Sequence, residues 1–275
     1  PGAVSSWDEA HKAYGRLPLK RVLASAIDYA REGFVITPRV AGWLASCQAD
    51  LMPHAYSRRL FLPDGPLKAG SVLVNAGLAR TLEAIATDGA SGFYRGETGR
   101  MLAAFSAGHG GVFDAEDLAA QHAFWADPIR GTYRDLTLYE TPAPTQGFTV
   151  IQMLQMLESY DLRSSGYLSP EHVHLLVQAK QIAYHDRDRF LADPRFVDVP
   201  MQRLIDPSYA TQRRGLIDPN HALPWDRVPS YGSLTGDTIY LAVADAEGNA
   251  VSLIQSLYGA FGSAVVAGET GVVLQ

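Results

Sequence analysis

Apolar residues recur at helical spacing over most of the first two thirds of the chain. Between Pro18 and Gly33 they fall at Val22, Leu23, Ala26, Ile27 and Ala30, on one face of a helix that Gly33 stops. Asn75 to Gly89 repeats the pattern with Leu78, Leu82 and Ile85. Ser6-Trp7-Asp8-Glu9 has the form of a capping box, a hydroxyl and a carboxylate that satisfy the free amides of a helix start, with Gly15 as the stop. Thr37-Pro38 and Ser169-Pro170 each set a capping hydroxyl before a proline at the first helical position, opening helices that reach Asp50 and Leu191. Shorter helices are expected over 98–107, 115–121 and 148–160.

The period changes twice. Ile129 to Tyr133 and Leu136 to Tyr139 read as two strands around Arg134-Asp135. A second hairpin opens at Thr238 and returns from Asn249 to Ser256. Its loop, Ala246-Glu247-Gly248, is a type I turn followed by a left-handed position, which Gly248 fills at low steric cost. That loop pairs Asp245 with Asn249. Thr238 then faces Ser256, Tyr240 faces Ile254 and Ala242 faces Ser252 on one side of the ladder. Ile239/Gln255, Leu241/Leu253 and Val243/Val251 fall on the other side. A hydroxyl therefore faces a hydroxyl at the mouth of an otherwise apolar hairpin. Just before it, residues 218–236 hold Pro219, Pro224, Pro229, Gly232 and Gly236 among polar residues, with no apolar period. Such a segment is a loop or disordered tail, either an interdomain linker or a mobile stretch of a precursor.

With 275 residues, 47% of them hydrophobic and 19% charged, the chain has the make-up of a globular protein with a sizeable core. Its net charge of -6 argues against nucleic acid or an anionic membrane as partner. No apolar run approaches the roughly 20 residues of a membrane span. The single cysteine, Cys47, can make no internal disulfide and leaves the compartment open. His172, His174 and His185, with Asp186 and Asp188, lack the four-residue ligand spacing of a zinc helix; they read as helix caps and local ion pairs, with no metal. His109-Gly110-Gly111 has no Gly-x-Ser-x-Gly partner and reads as a helix stop and turn. The nucleotide-binding glycine motifs and a Cys-x-x-Cys pair are absent, so no cofactor is expected. Pro142 to Gly147 is a rigid polar loop before a helix N-terminus, either a strand-to-helix connector or part of a cleft wall.

On spacing alone Thr238 is a β-branched residue at a strand start. A catalytic reading needs a chain break before it. Cleavage of Asp237–Thr238 would free an α-amine with a pKa of about 7.7–8.0, close enough to neutrality to take the proton of the threonine hydroxyl.

The run from Gly236 to Ser256, followed by Phe261-Gly262-Ser263 and Gly268 to Leu274, resembles the processing junction of the γ-glutamyltransferase family. Pro1-Gly2-Ala3-Val4 with Trp7, Tyr29 to Phe34, Phe93-Tyr94-Arg95-Gly96, Gly110-Gly111, Asp117-Leu118, Pro142 to Gly147 before Gln152-Met153-Leu154, Asp186-Arg187 and Ala192-Asp193-Pro194 carry the same resemblance nearly end to end. It implies an α+β fold of the N-terminal-nucleophile hydrolase type, an αββα sandwich of which this chain is an incomplete portion. It further implies a large-subunit portion over 1–217, a precursor tail over 218–237 and the start of a small subunit over 238–275. The family continues upstream of Pro1 and beyond Gln275, which would put the oxyanion and carboxylate-binding groups largely outside these residues.

By the same resemblance Thr238 is the nucleophile, with its own amine as base, and Asp237 and Thr238 flank the processed bond. Ser256 stands where the family has a hydroxyl residue bonded to the nucleophile. Tyr258 stands where glutathione-processing members carry an asparagine for the γ-glutamyl carboxylate, a departure that bears on specificity. The implied activity is hydrolysis or transfer of γ-glutamyl amides such as glutathione, with water or an amine as acceptor. The implied partners are a small-molecule substrate and the two subunits of one precursor, with a higher oligomer allowed. Two rivals stand beside it: an acylase of β-lactam or other amides using the same threonine, and a non-catalytic homologue that never cuts itself.

Overall fold

Helix caps and glycine stops divide the chain much as its hydrophobic pattern does. The computed structural model describes residues 2–224 and 238–275. In chain order the elements are α1 (Ala3–Tyr14), α2 (Leu19–Glu32), β1 (Phe34–Val35), α3 (Pro38–Ser46), α4 (Gln48–Leu51), α5 (Ala55–Phe61), β2 (Val72–Leu73), α6 (Ala76–Tyr94), α7 (Glu97–Gly108), α8 (Ala115–Ala120), β3 (Ile129–Tyr133), β4 (Leu136–Glu140), α9 (Phe148–Leu157), α10 (Pro170–Phe190), α11 (Met201–Leu204), α12 (Pro207–Arg214), β5 (Thr238–Ala244) and β6 (Ala250–Ser256), then a short 3-10 turn at Gly268–Thr270. The strands form three antiparallel pairs, β1–β2, β3–β4 and β5–β6. Among the described residues no helix is long and apolar enough to cross a membrane.

Several helix starts follow their caps. The Thr37 hydroxyl accepts from the Val40 amide at 3.3 Å, and Ser169 from the His172 amide at 3.1 Å. Asn75 accepts from the Leu78 amide at 3.0 Å, a cap worth about 1 kcal/mol. Other expectations are corrected. Helix α1 begins at Ala3, so Ser6 lies inside it and no capping box forms there; a capping box does form at α8, between Asp114 and Asp117. At Gly89 α6 breaks its helical geometry, yet helix resumes to Tyr94. On α2 the inward stripe is narrower than the sequence suggests. Ile27 and Ala30 are buried while Val22 and Ala26 face solvent.

The chain divides into two units, Pro1–Phe124 with Ser233–Gln275, and Trp125–Gly232. The first holds two apolar clusters. Val4, Ile27, Leu82, Ile85, Phe93 and Leu102 join α1, α2, α6 and α7. Ile36, Leu44, Leu51 and Phe61 join α3, α4 and α5 with Ala264 and Val266. The second unit packs α9 against α10 and α12 through Met156, Leu175, Ala179, Ile182 and Ala210. There the acidic run at the end of α10 departs from expectation. Asp186 is buried, at 2% exposure, and is not part of a local surface pair. Arg213 of α12 grips both its oxygens, at 2.9 and 3.1 Å, and the Gln152 amide donates to it at 3.3 Å. Asp186 continues the stripe Leu175, Ala179, Ile182 at helical spacing, which is the signal in the sequence for its burial. The Arg187–Asp188 pair, at 3.0 Å, is local as expected.

Candidate active site

Two strands and a tight loop position the candidate residues. The register of β5 and β6 runs from Thr238 opposite Ser256 to Ala244 opposite Ala250, the pairing that the loop length predicts. Gly248 sits at φ 85, the left-handed position of the turn. The Asp245 carboxylate closes the loop by accepting from the Glu247 and Asn249 amides at 3.0 and 2.9 Å and from the Asn249 side chain at 2.8 Å. Those bonds, the Asn249 side chain first, hold its pKa below the usual carboxylate value. Both faces of the hairpin are apolar and open to solvent. Ile239 is 65% exposed on one face and Ile254 69% on the other.

At its mouth the Thr238 hydroxyl donates to the Ser256 hydroxyl at 3.0 Å. Ser256 Oγ also accepts from the Tyr258 backbone amide at 2.8 Å. The serine oxygen is thus held between a side chain on the facing strand and the backbone that follows its own strand. Tyr258 takes a left-handed conformation, φ 77, and its ring is exposed. Sequence reasoning did not foresee that backbone. It also missed the link from α1, where the Trp7 indole donates to the Gln255 side chain at 3.1 Å, one residue before Ser256.

The structure therefore brings Thr238, Ser256 and Tyr258 together. Asp237, the other side of the proposed processing bond, lies outside the described residues, as does most of the tail expected over 218–237. Cavities of about 540 Å³ beside the kink of α6 and about 610 Å³ beside α5 are not lined by the hairpin. His172 and His174 bond backbone carbonyls, of Gly166 at 3.2 Å and Asp218 at 2.8 Å, and His185 lies 3.6 Å from Asp186. Among the described residues no group of three His, Cys, Asp or Glu side chains converges as a metal site would require. In the Pro142 to Gly147 loop the Thr145 hydroxyl donates to the Thr141 and Pro142 carbonyls, both at 2.9 Å, while the Gln146 side-chain oxygen accepts from Arg187 of α10 at 2.7 Å. His109 closes α7, and Gly110 turns the chain at φ 72.

This fold and hairpin recur in known proteins. The acylase ACY 1 proenzyme of Pseudomonas sp. (strain SE83) is 41% identical over 275 residues, covering 99% of this chain and 49% of that protein. The glutathione hydrolase proenzyme of Escherichia coli (strain K12) is 36% identical over 281 residues, covering 100% of this chain and 48% of its own length. The chain thus spans about half the length of these relatives. The crystal structure of cephalosporin acylase from Bacillus halodurans superposes with a TM-score of 0.87 at 35% identity, over 100% of this chain and 51% of that one. The mixed helix and sheet architecture is that of a portion of an N-terminal-nucleophile hydrolase. The gamma-glutamyltranspeptidase family model matches residues 1–275, and the chain belongs to that family.

Proposed function

We propose that the full-length protein is an amide acyltransferase or hydrolase that cuts itself before Thr238 and then uses Thr238 as its nucleophile. The observation that carries this reading is the 3.0 Å bond between the Thr238 and Ser256 hydroxyls at the open mouth of the hairpin. In the processing step the Thr238 hydroxyl attacks the Asp237 carbonyl, the peptide nitrogen leaves as the new α-amine, and water hydrolyses the resulting ester. In turnover that amine takes the hydroxyl proton as the oxygen attacks a substrate amide, and the acyl group moves to Thr238. Water then gives hydrolysis, and an amine gives transfer. Ser256, itself fixed by the Tyr258 amide, orients the attacking oxygen. Backbone amides beyond these residues would supply the oxyanion hole.

The substrate we propose first is a γ-glutamyl amide such as glutathione, in keeping with the family and with the glutathione hydrolase relative. A second reading is acylase activity on a β-lactam side chain or similar amide. Tyr258 favours it, because a phenol stands where the γ-glutamyl carboxylate would otherwise meet an asparagine, and the acylase relative supports it. Steady-state assay of the purified protein on a γ-glutamyl anilide and on a cephalosporin side-chain amide separates the two. Thr238→Ala is expected to leave one uncut polypeptide with no activity on either substrate. Normal cutting of that variant on a denaturing gel would remove Thr238 from its role, and an uncut wild type would favour the non-catalytic rival.

A further inference from the structure

The segment that follows the hairpin is gripped by side chains some two hundred residues away. Ser57 of α5, fully buried, donates to the Ala264 carbonyl at 2.7 Å and accepts from the Val266 amide at 2.9 Å. Asn75, while capping α6, donates to the Gly271 carbonyl at 2.9 Å. Thr81, also buried, donates to the Thr270 carbonyl at 2.9 Å. These side chains satisfy backbone groups that no helix or strand ladder satisfies. The shapes agree with the bonding. A Cβ on Gly77 would stand 2.4 Å from the Glu269 carbonyl, so α6 carries no side chain where the segment crosses it. Ala264 and Val266 enter one apolar cluster of the first unit, and Ala267 enters the other. The hairpin just upstream is held differently. Its bonds to the N-terminal region, from Trp7 of α1 to Gln255 and from Arg16 just past α1 to Glu247, are exposed to solvent.

From this contrast we infer that residues 264–271 form the noncovalent anchor that keeps the Thr238-bearing chain on the 1–124 portion once the bond before Thr238 is cut. The inference rests on the self-cleavage proposed above. In an uncut chain these contacts are intramolecular and contribute to one concentration-independent stability. In a cut chain they are an interface between two polypeptides, so weakening them shows as dissociation on dilution.

The test uses the full-length protein with Ser57→Ala and, separately, Asn75→Asp. The second variant keeps an oxygen for the Leu78 amide, and so the start of α6, while removing the donor to Gly271. Cutting is read on a denaturing gel. Association of the fragments is read by sedimentation over a dilution series at a fixed, subdenaturing urea concentration. Each variant is expected to be cut and to raise the fragment dissociation constant about tenfold, the effect of one lost buried hydrogen bond. The same substitutions in an uncut Thr238→Ala background should give one species at every dilution. Cut variants whose fragments associate as in the wild type would overturn the anchor and leave the cleavage reading standing. A wild type that is never cut would overturn both.

Discussion

At the scale of single residues, the candidate site is a hydroxyl pair readable in advance and a backbone conformation that was not. A three-residue loop leaves one register for the hairpin, so Thr238 opposite Ser256 follows from Gly248 alone. Nothing local announces that Tyr258 adopts φ 77, because its conformation is imposed by the turn into residues 259–264. A bulky residue there carries strain of about 1–3 kcal/mol, whereas asparagine tolerates the left-handed region better. Tyr258→Asn is therefore expected to fold at least as well as the parent. If Tyr258 faces the acyl group, the substitution supplies an amide donor to the α-carboxylate of a γ-glutamyl group, worth about 1.5–3 kcal/mol. The ratio of kcat/KM for a γ-glutamyl anilide to that for a cephalosporin amide should rise by about tenfold or more. An unchanged ratio would show that position 258 does not read the acyl group.

At the scale of elements, local chemistry was legible and tertiary packing was not. Thr37 and Ser169 cap the helices they were expected to cap, and Asn75 caps α6 in the same way, since each cap is a contact within one turn. Ser6 failed as a cap because Ser5 and the apolar Val4 upstream already pack into the core, and α1 starts four residues earlier than that cap would set it, with Gly2 at its N-cap. Helices α5, α11 and α12 are too short for a periodic signal. The role of α12 shows in what it covers. Its Arg213 meets Asp186 in the interior of the second unit. Arg213→Leu would strip the buried Asp186 carboxylate of its guanidinium and leave it only the Gln152 amide and the nearby His185, at a cost of up to about 3–5 kcal/mol, read as a lower midpoint in urea denaturation. Adding Asp186→Leu should recover a large part of that loss. A single variant as stable as the parent would mean that water reaches Asp186 in place of the guanidinium.

At the scale of the whole molecule, the hairpin is the exposed part of an otherwise packed unit. Ile239, Leu241, Val243 and Val251 on one face and Tyr240 and Ile254 on the other are each at least half exposed. In an αββα sandwich such faces are covered by a second sheet and a helix layer. Produced as these 275 residues alone, the protein should associate through them, and light scattering should rise with concentration. Lysine in place of Ile239 and Ile254 should lower that association; a monomer at high concentration without those changes would count against it.

The same hairpin has a consequence for the order of events as the chain matures. Its partners are near neighbours in sequence, and hairpins close in about 1–10 μs. The bond from Ser57 to Ala264 spans 207 residues and must wait for a far larger loop to close. Thr238 would therefore meet Ser256 well before their support has docked, and their pairing cannot itself be the trigger for scission. The timing would be set by the slow, long-range assembly around them, so mutations that delay that assembly should lengthen the life of the unprocessed chain without touching the chemistry.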